Sequence, residues 1–182
     1  MILTKAKGPN YLVHFRRRRA GRTDYQRRLG LLKSGIPRMV VRKTNRYVVV
    51  HVSKLSEKGD VTVAHATSQA LKEYGFAGKC NAPSAYLTGM LVAKMAQAAG
   101  VKQVILDIGL HTNTQGSIVF CCQKGAIDAG LESSLDEDKL PPAERISGSH
   151  LKNAADFAKA KDAILKADVA AKPKGAKKVD KK

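Results

Sequence analysis

Residues 38–52 read RMVVRKTNRYVVVHV, and this stretch decides the fold class. Two β-branched runs, RMVVRK (38–43) and RYVVVHV (46–52), are split by Thr44 and Asn45. Valine is stiff at χ1 and packs well on a pleated surface, so such runs favour strands. Asparagine tolerates the left-handed conformation of a tight hairpin, which predicts a turn at Thr44 and Asn45. A third run, DVTVAHA (60–66), follows a Glu-Lys-Gly-Asp turn and completes an antiparallel meander.

The segments beyond the meander change period. NAPSAYLTGMLVAKMAQAAG (81–100) places Leu87, Met90, Leu91, Met95 and Ala98 at helical spacing, with Ser84 as the expected N-cap and Gly100 as the C′ residue. QVILDIG (103–109) reads as a short buried strand. A strand delivered by a helix favours parallel pairing and helices on the sheet faces. After the loop LHTNTQG, Ser117 onward reads as strand or helix, and the spacing of Val119, Cys122 and Ala126 favours a helix through Gly130. LPPAERI reads as a short proline-initiated helix.

Ahead of the meander, residues 1–22 read as a basic, irregular arm. Thr23-Asp24-Tyr25-Gln26 fits a capping box with Thr23 as N-cap. The helix it opens is expected to stop at Ser34-Gly35. Leu29 and Leu32 would share a buried stripe, and Arg27, Arg28 and Lys33 would face outward. From Ala154 the composition drifts to Ala and Lys, and KPKGAKKVDKK (172–182) reads as a low-complexity tail. The expected division is an arm at 1–22, a globular α/β domain at 23–150 and a basic Ala/Lys-rich extension at 151–182.

The formal net charge is +18, and it is unevenly placed. Residues 1–46 carry 14 Lys and Arg against one acid, Asp24. Residues 47–165 balance at 12 of each sign, and residues 166–182 hold seven Lys and two Asp. Charge concentrated at the ends of a neutral body repels itself unless a polyanion neutralises it. Arg16–Arg19 alone is a motif of many unrelated proteins and fits a nuclear-localisation signal. Neither that reading nor a solvated charge run accounts for the further cations on the first helix and hairpin tip. Guanidinium forks suit phosphate and stack on bases. Tyr11, His14, Phe15 and Tyr25 are interleaved with them and can stack on unpaired bases.

Other classes find little support. No apolar run approaches the ~20 residues of a membrane span. MILTKAKGPNYLVHF has no apolar h-region, so a soluble protein of a reducing compartment is expected. Cys80, Cys121 and Cys122 form no CxxC, and Cys121-Cys122 beside Phe120 reads as core. The five histidines show no metalloprotease spacing. GFAGKC (75–80) has Glu73 where a phosphate loop needs its first glycine. A metal nuclease needs gathered carboxylates, and Asp60, Asp107 and Asp128 are scattered along the chain. No cofactor, metal or small-molecule substrate is expected.

Four stretches carry a family resemblance: FRRRRAGRTDYQRRLGLLKSGIPRMVVRKTNRYV, NAPSAYLTGMLVAKMAQAAG, VILDIGLHTNTQGSIVF and KGAIDAGL. Together they resemble the universal large-subunit ribosomal protein eighteen family in its archaeal-type form, the counterpart of eukaryotic large-subunit protein five. The match covers about residues 8–150 in unbroken order. The resemblance implies a three-layer α/β/α body with a mixed, ribonuclease-H-like sheet of the translational-machinery type, without nuclease activity. It implies a cytoplasmic ribosomal protein that binds 5S rRNA and docks it to the large-subunit rRNA in the central protuberance, beside neighbouring large-subunit proteins. The RNA-binding residues it implies are Arg16, Arg17, Arg18, Arg19, Arg22, Thr23, Asp24, Tyr25, Arg27 and Arg28. Arg42, Lys43, Asn45 and Arg46 at the hairpin tip follow, and the loop His111 to Gly116 is a further candidate. A metal-dependent nuclease on this kind of fold and a general nucleic-acid packaging protein remain the alternatives.

Overall fold

The computed structural model describes residues 8–9, 11–151 and 154–167. The tail at 172–182 therefore lies outside the described residues. Strands β1 (Arg38–Lys43), β2 (Val48–Ser56) and β3 (Gly59–Thr67) form the predicted meander. A short strand, β4 (Ile105–Asp107), adds parallel to β1, so the mixed sheet has the order β3-β2-β1-β4. Six helices are described: α1 (Arg16–Arg19), α2 (Tyr25–Lys33), α3 (Ala82–Ala98), α4 (Ile118–Asp128), α5 (Ala143–Ser147) and α6 (Ala154–Lys166). A 3₁₀ helix at Ser68–Tyr74 links β3 to α3.

Alternation along the strands divides the sheet into two unlike faces. Met39 and Val41, Val48, Val50 and Val52, and Ala64 and Ala66 are buried on one face against α3 and α4. The other face carries Arg38, Val40 and Arg42 from β1 opposite Ser53, His51 and Val49 of β2. Helix α2 covers part of this second face, which completes the three-layer α/β/α order.

The two large helices meet closely because two glycines permit it. A Cβ on Gly89 would collide with the Cys122 carbonyl, and one on Gly125 with the Tyr86 carbonyl. Each helix thus lays its backbone against the other's, which leaves no room for a methyl group. Cys121 and Cys122 are fully buried at this contact. The Ala/Lys repetition beginning at 154 is a helix, and Ala160 and Ile164 are fully buried where α6 packs on α3 and the 3₁₀ helix.

Several local expectations are corrected. Asp24, not Thr23, caps α2, accepting from the Gln26 and Arg27 amides at 3.0 and 3.2 Å. A carboxylate is the stronger acceptor at a helix N-terminus. Asn81 likewise replaces Ser84 as the cap of α3, accepting from the Ser84 amide at 3.1 Å. The β1–β2 turn spans Thr44–Tyr47, closed by the Thr44 amide and hydroxyl on the Tyr47 carbonyl at 2.8 and 2.9 Å. Four loop residues relieve Asn45 of a left-handed backbone, and no non-glycine residue among those described has positive φ. Leu29 is 56% exposed, because the face beneath α2 presents arginine and aspartate rather than apolar side chains. Arg16–Arg19 is a single helical turn, not irregular chain.

Candidate nucleic-acid interface

The arm leaves the body at α2, and residues 11–20 are all exposed. Two contacts hold its inner end. The Arg17 Nε donates to the Thr23 hydroxyl at 2.7 Å, and the Phe15 ring lies tilted on Tyr25 with centroids 5.3 Å apart. Arg16, Arg18, Arg19 and Arg22 make no ion pair among the described residues and are exposed. Arg27 is salt-bridged at 3.4 Å to Asp24, the cap of its own helix. Such an exposed pair contributes little stability.

A ladder of alternating charges fastens α2 to the polar face of the sheet. Arg28 and Arg38 both donate to one oxygen of Asp60, at 2.7 and 2.6 Å. Through its other terminal nitrogen Arg38 reaches Asp107 at 2.6 Å. Arg42 donates to the Asp107 carbonyl at 2.8 Å and to its carboxylate at 3.2 Å, and the Gly109 amide donates to that carboxylate at 2.8 Å. Arg38 is 4% and Asp107 6% exposed, so the centre of the ladder is desolvated and depends on its pairing. The ladder joins α2, β1, β3 and β4 in one network. Sequence reasoning named Arg28 and Arg42 but missed Asp60 and Asp107 as their partners and Arg38 as the link between the two carboxylates. The available signal was the period-two spacing of Arg38, Val40 and Arg42 opposite Met39 and Val41.

The hairpin tip is a second basic cluster. Lys43, Asn45 and Arg46 are exposed. The Lys43 amide donates to His111 Nε2 at 3.4 Å, which sets the loop after β4 beside the tip. Burial and the neighbouring Lys43 and Arg42 lower the pKa of His111. On the polar face, burial is also the main cause lowering the pKa of His51, reinforced by His65, Arg42 and Arg38 and opposed by Asp107. Both imidazoles are therefore neutral near pH 7.

Between arm, α2 and sheet lies a cavity of about 310 Å³, walled by arginines and floored by Val40, His51 and Ser53. The three carboxylates considered for metal chemistry are not gathered. Asp60 and Asp107 share Arg38 between them. Asp128 instead accepts from the Tyr86 hydroxyl at 2.7 Å and pairs with Lys124 at 3.2 Å. Among the described residues no helix is long and apolar enough to cross a membrane.

A family model described as "Ribosomal large subunit proteins 60S L5, and 50S L18" matches residues 9–102. Relatives named large ribosomal subunit protein uL18 are similar over most of the chain. The one from Haloarcula marismortui is 52% identical over 147 residues, covering 80% of this chain and 79% of its own. That from Methanoregula boonei is 49% identical over 147 residues, covering 80% and 84%. That from Methanospirillum hungatei is 46% identical over 167 residues, covering 91% and 94%.

Proposed function

Because the chain belongs to the family of ribosomal large-subunit proteins L5 and L18, and is thus a structural rather than catalytic constituent of the large subunit, we propose that it binds 5S rRNA and bridges it to the large-subunit rRNA in the central protuberance. Neighbouring large-subunit proteins complete its surroundings. The observation that carries this reading is the continuous run of unneutralised arginine from α1 to the start of α2. It is anchored through Thr23 and Tyr25 to a body held by the charge ladder. Counterion release from phosphates drives binding, and the fixed body orients the arm on RNA shape.

Within this reading Arg16, Arg17, Arg18, Arg19 and Arg22 meet RNA directly, with Arg27, Lys43, Asn45 and Arg46 extending the surface. Asp24, Arg28 and Arg42 set the geometry from inside. Thr23 and Tyr25 hold the arm's root.

The test is competition of 5S rRNA against bulk tRNA for the full chain, repeated across salt. 5S rRNA is expected to win by at least about tenfold, roughly 1.4 kcal/mol. Alanine at Arg16–Arg19 should lower the slope of log K against log salt by up to about 3 while leaving thermal unfolding unchanged. Equal binding of both RNAs would favour a general packaging protein. A flat salt response would refute the electrostatic mechanism.

A further inference from the structure

The cavity beneath the arm has a charged rim and an uncharged floor, and a phosphodiester alone has use only for the rim. Arg28, Arg38 and Arg42 are paired with Asp60 and Asp107, two carboxylates for three guanidiniums, and Arg27 is paired with Asp24. Arg17 and Arg22 also line the cavity, in which Asp24 stands as well, and neither makes an ion pair among the described residues. These two guanidiniums make a place for one phosphate.

The floor is different. Val40, His51 and Ser53 point from β1 and β2 toward the arm. Among the described residues, neither the His51 ring nor the Ser53 hydroxyl makes a hydrogen bond. Ser53 as a whole is 4% exposed, but no buried side-chain oxygen or nitrogen among the described residues lacks a partner, so its unbonded hydroxyl is open to the cavity. A neutral imidazole offers one donor and one acceptor side by side with a hydroxyl, which is the kind of pattern a base edge presents in return. Leu110, 54% exposed at the mouth, and the planar guanidiniums of the wall supply surfaces for a ring face. At about 310 Å³ the space suits a single nucleotide and excludes a helix.

We propose that this cavity is a nucleotide pocket: one unpaired nucleotide of the bound RNA enters it, its phosphate on Arg17 and Arg22 and its base against His51 and Ser53. The inference rests on the RNA-binding reading and deepens it. It adds hydrogen-bonding to a base edge to an interface argued so far from phosphate contacts and stacking. Single-stranded nucleotides splayed from loops and bulges are the usual targets of sequence-specific recognition of RNA.

The experiment uses the full chain and 5S rRNA, with His51→Leu and Ser53→Ala as floor variants and Arg22→Ala as a rim variant. Each floor variant should weaken binding by about 3- to 10-fold, the loss of one hydrogen bond to a base, with the salt slope unchanged. The rim variant should lower that slope by about 0.7. Acylation of His51 by diethyl pyrocarbonate, read by mass spectrometry, should be blocked by RNA and unaffected by 50 mM inorganic phosphate, a concentration of about 0.05 M chosen to fill any simple anion site. Ser53→Ala keeps the assay meaningful if leucine at position 51 disturbs the strand.

Floor variants that bind like the unmodified protein would overturn the proposal, as would protection of His51 by phosphate alone. The two readings fail separately. Loss of the competition against tRNA sinks the 5S assignment. The pocket is judged by the ratio of floor variant to unmodified protein on whichever RNA binds.

Discussion

Asp107→Asn separates a structural carboxylate from a catalytic one. Asp107 is 6% exposed and accepts from Arg38 at 2.6 Å, Arg42 at 3.2 Å and the Gly109 amide at 2.8 Å. Asparagine preserves the shape but removes the charge and turns an amide donor toward guanidinium nitrogen. Breaking a buried ion pair from one side costs roughly 3–5 kcal/mol, since it strands the other charge. Arg38 keeps Asp60 at 2.6 Å, which places the expected loss at the lower end, about 3 kcal/mol. For a chain of this length that lowers Tm by roughly 6–12 °C. Calorimetry on Asp107→Asn, Arg38→Met and the double variant is the assay. The double variant should lose less than the sum of the singles by at least about 1 kcal/mol, because the second substitution removes a charge already stranded. A Tm within about 2 °C of the unmodified protein, or strict additivity, would refute the ladder as the lock between sheet and α2. Divalent-metal-dependent RNA cleavage that disappears with Asp107→Asn would make the residue catalytic instead.

Three further outcomes are expected. Gly89→Ala should destabilise by about 1–3 kcal/mol, because its methyl group meets the Cys122 carbonyl across the α3–α4 contact; an unchanged melting curve would contradict that packing. His51 and His111 have lowered pKa values, so the folded chain binds fewer protons than the unfolded one at acid pH. Their contribution is fully present above about pH 6.5 and is lost as pH falls through that value toward their folded pKa, so Tm should decline from pH 7 to 5, and less so in His51→Gln. Burial pushes the Cys121 thiol up to about 11 and raises that of Cys122 as well, so at pH 8 a thiol reagent should label Cys80 in the native protein and the adjacent pair only after unfolding.

Local patterns carried much of the architecture. The β-branched runs at 38–52 and 60–66 are strands because alternation and side-chain stiffness act within a few residues. The long apolar period at 81–100 is a helix for the same reason, and Gly100, at φ +81°, closes it as its chemistry predicts. Errors fell where two neighbours compete for one task. Thr23 and Asp24 are both able to cap α2, as Asn81 and Ser84 are for α3, and only the backbone path decides which oxygen faces the amides. Leu29 shows the same limit at longer range. A helical stripe predicts burial only if the opposing surface is apolar, and here that surface is the arginine face of the sheet.

The sequence by itself determined the charge: a basic front half, a balanced middle, and hence a polyanionic partner. Fixed formal charges need no fold to be counted. The family resemblance was also legible, because long motifs in unbroken order survive without coordinates. Tertiary structure alone decided which cations are available. Arg28, Arg38 and Arg42 look like their neighbours in the sequence, yet Asp60 and Asp107, 32 and 69 positions away from Arg28 and Arg38 respectively, pair with them. Ion pairing acts over a few ångströms of space and is blind to distance along the chain. The pairing leaves Arg17 and Arg22 unneutralised above a floor of His51 and Ser53, and only the fold brings the two together.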